Sequence, residues 1–270
     1  MKKITENVYV ESERSVCNTG FVVTGEGVVV IDTPMLPVDA KAVAAEISKF
    51  GPVRYLINTE PHSDHIFGNC YFGGLCVGHE GTRQTILDST IEGMAEMLKG
   101  IHPEALPLPP DFKLRPSDIT FSERLSLHLG NHTFNLIHMP GHTPYQVAVH
   151  VPEERLVFTS DNISLGTAFF RQAVPDKWLQ TLEKMEELDV DIVVPGHGKP
   201  ENKSCFKEMS RIVQRWLDVV KDAIDKGMSI KEAQDSIRIT DIYPGAADNP
   251  HISGAVRLNV EKIYEYLKRR

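Results

Sequence analysis

The 270-residue sequence contains no apolar stretch near the roughly 20 residues that a membrane span requires. Lys2 and Lys3 precede Ile4-Thr5-Glu6-Asn7 where a secretory signal would carry an apolar core. Cysteine is scarce: Cys17, Cys70, Cys76 and Cys205 form no CxxC pair. Together these absences exclude a membrane-spanning chain and a disulfide scaffold, and the expected location is a reducing cytoplasm. Positive charge is in deficit, with 29 Lys and Arg against 37 Asp and Glu and a net charge of −8. No basic stripe is present, so nucleic acid and anionic membrane are not expected partners. Low-complexity tracts and linkers are also missing, which points to one domain over 1–270. What remains is an ordinary globular composition, 41% hydrophobic and 24% charged.

Periodicity predicts alternating strands and helices. Asn18–Thr24 and Gly27–Asp32 read as strands joined by a hairpin at Gly25-Glu26-Gly27. Val38–Phe50 carries a helical apolar stripe that ends at Gly51-Pro52, and Val53–Asn58 reads as a buried strand. A short strand at Leu75–Val77 follows. Residues 80–116 form an insertion, helical to about residue 99 and then barred from regular structure by Pro103, Pro107, Pro109, Pro110 and Pro116. It is either a wall over a site or a surface loop without a role. Strands resume at Phe121, Leu125–Leu129, Phe134–His138, Gln146–Val151, Leu156–Thr159 and Asp191–Val194. Helices are expected at Pro175–Leu188 and, in a C-terminal group over about 206–270, at Phe206–Ile224, Ile230–Ile237 and Ala255–Lys268. Sheets covered by helices imply a helix–sheet–sheet–helix stack.

The chemistry concentrates at strand ends. Glu60-Pro61-His62-Ser63-Asp64-His65 follows the Val53–Asn58 strand. Pro140-Gly141-His142-Thr143, Ser160-Asp161-Asn162 and Pro195-Gly196-His197-Gly198 each follow another apolar run. Any one of these is weak evidence, since Gly-His-Gly is often a turn and Asp161 alone is a natural cap. Four strand ends offering imidazole and carboxylate together suit Zn, Fe or Mn.

The order His-x-Asp-His, Gly-His, Ser-Asp, Pro-Gly-His-Gly resembles the metallo-β-lactamase superfamily, and Gly27–Thr33 resembles that family's early strand ending in Asp. The resemblance spans about residues 4–200. It implies an α/β fold, an αββα four-layer sandwich of two mixed β-sheets flanked by helices. It also implies a metallo-hydrolase with two divalent ions, zinc first and manganese or iron as alternatives that Glu60 admits. By the same resemblance Glu60, His62 and His142 would hold one ion and Asp64, His65 and His197 the other. Asp161 would bridge them, and Asp64 would also take part in proton transfer. A metal-bound hydroxide would attack an ester, thioester, lactone, lactam or related bond of a small-molecule substrate.

The chain departs from the pattern at Glu60, where a histidine is usual. Three roles are open: a metal ligand, a group beside the ligands, or a general base. Ligation is the favoured one, because a carboxylate next to cations ionises readily. Thr143-Pro144-Tyr145-Gln146 lacks the Gly-His or Gly-Ser pair of lactonase-like members. Candidate substrate contacts are Phe169, Phe170 and Arg171, with Arg171 suited to an anionic group, and His251; the alternative for 169–171 is an exposed loop or a subunit contact. Of the other histidines, His128, His132, His138 and His150 lie in or beside strands and read as structural or surface residues. Two tryptophan-bearing amphipathic helices offer an interface for a homodimer. The rival functions are an iron-dependent oxygenase or oxidoreductase on the same fold and a non-catalytic metal- or ligand-binding regulatory protein.

Overall fold

The unbroken apolar run Val28–Ile31 is a strand buried on both faces, as expected where layers cover a sheet on each side. The computed structural model describes residues 1–14, 16–164, 168–243 and 250–269, the side chains of 250–253 excepted. The first sheet begins with β1 (Lys2–Lys3), β2 (Val8–Glu11), β3 (Thr19–Thr24) and β4 (Gly27–Ile31), paired antiparallel in chain order. Helix α1 (Pro37–Ile47) crosses over to β5 (Val53–Asn58), which runs parallel to β4. The four-residue helix α2 (Ser63–Ile66) precedes β6 (Leu75–His79). Helices α3 (Glu80–Asp88) and α4 (Ile91–Ile101) precede β7 (Ile119–Phe121), and β5, β6 and β7 are parallel. The second sheet has the order β12-β11-β10-β9-β8. Its strands β8 (Arg124–Leu129), β9 (His132–His138), β10 (Val147–Val151) and β11 (Leu156–Ser160) are antiparallel, and β12 (Ile192–Pro195) is parallel to β11. Both sheets are therefore mixed, as the sequence implied.

The chain divides into two compact units. The first comprises residues 1–139, 145–163 and 189–202 and contains every strand named above with α1–α4. Alternation assigns its two apolar layers. Val29 and Ile31 join Val10, Ile57 and Val77 against Leu136, Val149, Phe158 and Val194 of the second sheet. Val28 and Val30 point the other way, onto Ala40, Val43 and Ile47 of α1. Each fully buried side chain of this size contributes about 1.5–3 kcal/mol of transfer free energy. The helix expected over Val38–Phe50 ends as α-helix at Ile47 and closes with a single 3-10 turn, Ser48–Phe50. Phe50 then packs its ring against Tyr9 and Phe21. The sequence reading did not include β1 and β2, which are too short to show a period. The insertion at 80–116 is helical in α3 and α4 and then mostly irregular, as its prolines dictate. Its Ile86, Met94, Leu98 and Phe112 pack with Ile66 and Phe67, immediately after the Glu60–His65 loop.

The second unit comprises residues 140–144, 164–188 and 203–270. It contains α5 (Pro175–Glu186), α6 (Ser204–Asp225), α7 (Ile230–Ser236), α8 (Ile239–Ile242) and α9 (Pro250–Lys268). The expected amphipathic faces are present. Trp178, Leu182 and Met185 of α5 are buried, as are Phe206, Met209, Val213 and Trp216 of α6. Phe170 sits between them, its ring 5.4 Å from Trp178 and 6.0 Å from Trp216.

Candidate metal centre

Strand β5 delivers the central loop. Thr59 follows its last residue, and His62 stands in extended backbone as the N-cap of α2. A helix of four residues suffices to put Asp64 and His65 in adjacent positions at one strand end. The loop is fixed to its neighbours by backbone hydrogen bonds. Thr33 N donates to His65 O at 3.0 Å, and Val147 N donates to Thr59 O at 2.8 Å.

Asp32 orients the buried imidazole of His65. It follows β4 directly, in the left-handed region at φ 57°, and accepts from Thr59 N at 2.8 Å and Thr59 Oγ1 at 2.5 Å. Its Oδ2 lies 2.9 Å from His65 Nδ1. That contact assigns the Nδ1 proton and turns Nε2 inward, the usual arrangement of a carboxylate behind a ligating histidine. His65 Nε2 has no hydrogen bond, although Asp161 Oδ1 is at 3.4 Å, Asp64 Oδ2 at 3.6 Å and Glu60 Oε1 at 3.7 Å. His197 has the same character. Its Nδ1 donates to Val16 O at 2.6 Å, and its Nε2 lies 3.3 Å from both Asp64 Oδ2 and Asp161 Oδ2.

The loop carrying His197 is shaped by Asn18, whose Nδ2 donates to Pro195 O at 2.8 Å and Gly198 O at 2.9 Å. Gly196 is required by proximity: a Cβ there would lie 1.8 Å from Asp161 Oδ1. Ser160, which ends β11, takes φ 50° and so aims Asp161 into the cluster.

Electrostatics follow from this crowding. Burial alone would lower the His197 pKa, but Asp161 and Asp64 outweigh it and push it up to about 10. Burial likewise opposes, and Cys17 with Glu60, Asp64 and Asp32 overcomes, in raising His65 well above the imidazole range. In the other direction, burial would raise Asp161, yet His65 and His197 hold it well below the usual carboxylate range. Buried imidazoles and carboxylates crowded in this way are a donor set that suits a cation.

The ligand atoms of Glu60, His62 and Asp161 lie within 4.8 Å of one another, and so do those of Asp64, His65 and His197. All six residues belong to the first unit. The hydrogen-bond-free Nε2 of His65 among three carboxylates is the observation that fits a metal: a neutral core would pair that nitrogen. His142 belongs to the second unit, buried with its ring edge-on to Trp178 at 5.7 Å. Also in that unit, Phe170 is buried, Phe169 and Arg171 are exposed, and Phe170 N donates to Asn259 Oδ1. The side chain of His251 and residues 244–249 lie outside the described residues.

The sequence placed Asp32 at the end of an early strand and Ser160 beside Asp161, but assigned no role to them or to Gln146. Asp32 carried the same strand-end signal as the candidate ligands, with no sign of its partner His65. Gln146 and Ser160 both donate to Glu60, from 86 and 100 residues away. Their only local signal was a polar residue at the edge of an apolar strand.

Two mixed sheets with imidazoles and carboxylates gathered at their strand ends define a class, the αββα metalloproteins. More particularly, the metallo-beta-lactamase superfamily model matches residues 13–197, and the chain belongs to that superfamily. The chain is similar to a linear primary-alkylsulfatase of Pseudomonas sp. (strain ATCC 19151), 22% identical over 89% of this chain and 53% of that protein. It is also similar to a hydroxyacylglutathione hydrolase of Ruegeria pomeroyi, 28% identical over 43% of this chain and 47% of the other. The chain thus spans about half the length of these curated relatives. Among solved structures, a stereoselective inverting sec-alkylsulfatase from Pseudomonas sp. matches with a TM-score of 0.76 and 13% identity, over 98% of this chain and 49% of that one. That likeness shows the fold, two mixed sheets flanked by helices.

Proposed function

We propose that this chain is a metal-dependent hydrolase of ester-type bonds in small molecules, with two divalent ions. The observation that carries the proposal is His65 Nε2, buried without a hydrogen bond among Glu60, Asp64 and Asp161. Glu60 and His62 would hold one ion together with His142, which the family pattern assigns to it. Asp64, His65 and His197 would hold the other, and Asp161 would touch both. Zinc is the first choice, and the Glu60 carboxylate shifts the balance toward manganese or iron. When bound, such ions acidify water and withdraw charge from the oxygen of the electrophile.

The chain's own residues would do the remainder. Asp32 holds His65 in the tautomer that turns Nε2 inward. Asp64, with its side chain 21% exposed against 8% for Asp161, is the carboxylate that reaches incoming substrate and is assigned the proton transfer. Sulfate esters lead the substrate classes, because the alkylsulfatase likeness appears in sequence and again in structure. Thioesters and carboxylic esters follow.

Elemental analysis of the purified protein, followed by chelation, reloading and a panel of alkyl sulfate, ester, thioester, lactone and lactam, tests the proposal. Two ions per chain and hydrolysis that is lost on chelation and regained on reloading are expected. Iron with oxygen consumption and no hydrolysis would replace it with the redox reading. Failure to take up any divalent metal would sink it.

A further inference from the structure

Glu60 occupies the position where a single-atom imidazole ligand is usual, and its two oxygens have different surroundings. Oε1 accepts from Gln146 Nε2 at 3.0 Å and from Ser160 Oγ at 2.8 Å. Oε2 lies 2.6 Å from His62 Nδ1. Glu60 and Gln146 are both fully buried, and Ser160 is nearly so.

We propose that Gln146 and Ser160 are positioning residues that clamp Glu60 as a one-oxygen ligand, fixing Oε1 and presenting Oε2 beside His62 to a divalent cation. The inference rests on the metal-dependent reading above and deepens it. A carboxylate beside a cation can chelate through both oxygens or swing between them. Two hydrogen bonds on Oε1 occupy its lone pairs, so Oε2, on the His62 side, is the oxygen that would meet a cation. Both clamping groups are neutral. A Lys or Arg in their place would compete with the cation for the carboxylate charge, whereas an amide and a hydroxyl leave that charge available. Glu60 then copies the one-atom geometry of a histidine while adding a negative charge. A one-oxygen Glu60 would take up a single position on a bound cation, as an imidazole would.

The backbone holds both donors in place. Met139 N donates to Gln146 O at 2.8 Å, and the next residue, Val147, donates its N to Thr59 O. That second bond joins the two sheets one residue from Glu60. Ser160 O accepts from Gly196 N at 2.9 Å and Ile163 N at 3.2 Å, which holds its φ of 50°.

The test uses the full chain, stripped of metal and titrated with Mn²⁺ or Zn²⁺, comparing Gln146→Met and Ser160→Ala with the wild type. Each variant should bind the ion of the Glu60 site about 10- to 100-fold more weakly. Each should also keep one ion at the Asp64–His65–His197 site, give an altered Mn²⁺ paramagnetic resonance spectrum, and melt like the metal-free wild type. In a Glu60→Gln background neither substitution should weaken binding further, because the ligand it serves is gone. Wild-type affinity at both sites in both variants would overturn the clamp. So would joint loss of both ions with a lowered metal-free melting point, which marks a packing role. A wild-type chain that takes up no metal would overturn the hydrolase reading and the clamp together.

Discussion

Asp32 and His65 show how much one carboxylate decides here. With Thr59 N and Oγ1 on the same carboxylate, Asp32 has no freedom to turn away from His65 Nδ1. Asp32→Asn keeps the shape but removes the charged acceptor. Metal affinity at the Asp64–His65–His197 site should fall about 10- to 100-fold, read by competition with a chromophoric chelator. An unchanged affinity would mean that the orientation of His65 is set by packing alone. Glu60 was legible as an anomaly of its motif, and so was its nearness to His62, Asp64 and His65. Its clamp was not, because the donors Gln146 and Ser160 are 86 and 100 residues away and carry no local mark of that contact. Sequence pattern reports which face a residue prefers; it does not report which polar atom it meets.

Among elements, the turn between β10 and β11 ties the second sheet to the start of the first. Glu154 accepts from His132 Nε2 at 2.8 Å, from Asn7 Nδ2 at 2.7 Å and from Thr5 Oγ1. Burial would raise the Glu154 pKa, but these donors outweigh it and lower it. A carboxylate with a depressed folded pKa stabilises the fold above its unfolded pKa, and that stability is lost as pH falls through the folded value. Glu154→Gln should therefore cost about 1.5–3 kcal/mol at pH 7 in urea unfolding. The gap from the wild type should narrow as pH drops below the ordinary value of 4.5. A gap independent of pH would show that shape, and not charge, carries the contact. Strand and helix positions were largely readable, since they follow from apolar periods. The two shortest strands, β1 and β2, were missed: two and four residues show no period.

At the scale of the molecule, metal and stability are linked. The first unit buries Glu60, His65 and Asp161 together, and metal binding to the folded form alone stabilises it by mass action. At a free ion concentration a thousandfold above Kd the gain is about 4 kcal/mol. Chelation should lower the melting temperature by several degrees, and reloading should restore it. A melting temperature that ignores metal would argue against a buried ion.

The sequence by itself determined the layers and the candidate ligand types. Runs such as Val28–Ile31 and Val53–Asn58 must be buried, and His62, Asp64, His65, Asp161 and His197 stand just past such runs. Only the tertiary structure decided how those groups are held. Asp32 behind His65, Val16 O behind His197, and Gln146 and Ser160 on Glu60 all join segments distant in the chain. The physical reason is that burial is a local tendency of composition and period, whereas the direction of a hydrogen bond exists only once two distant backbones are brought together.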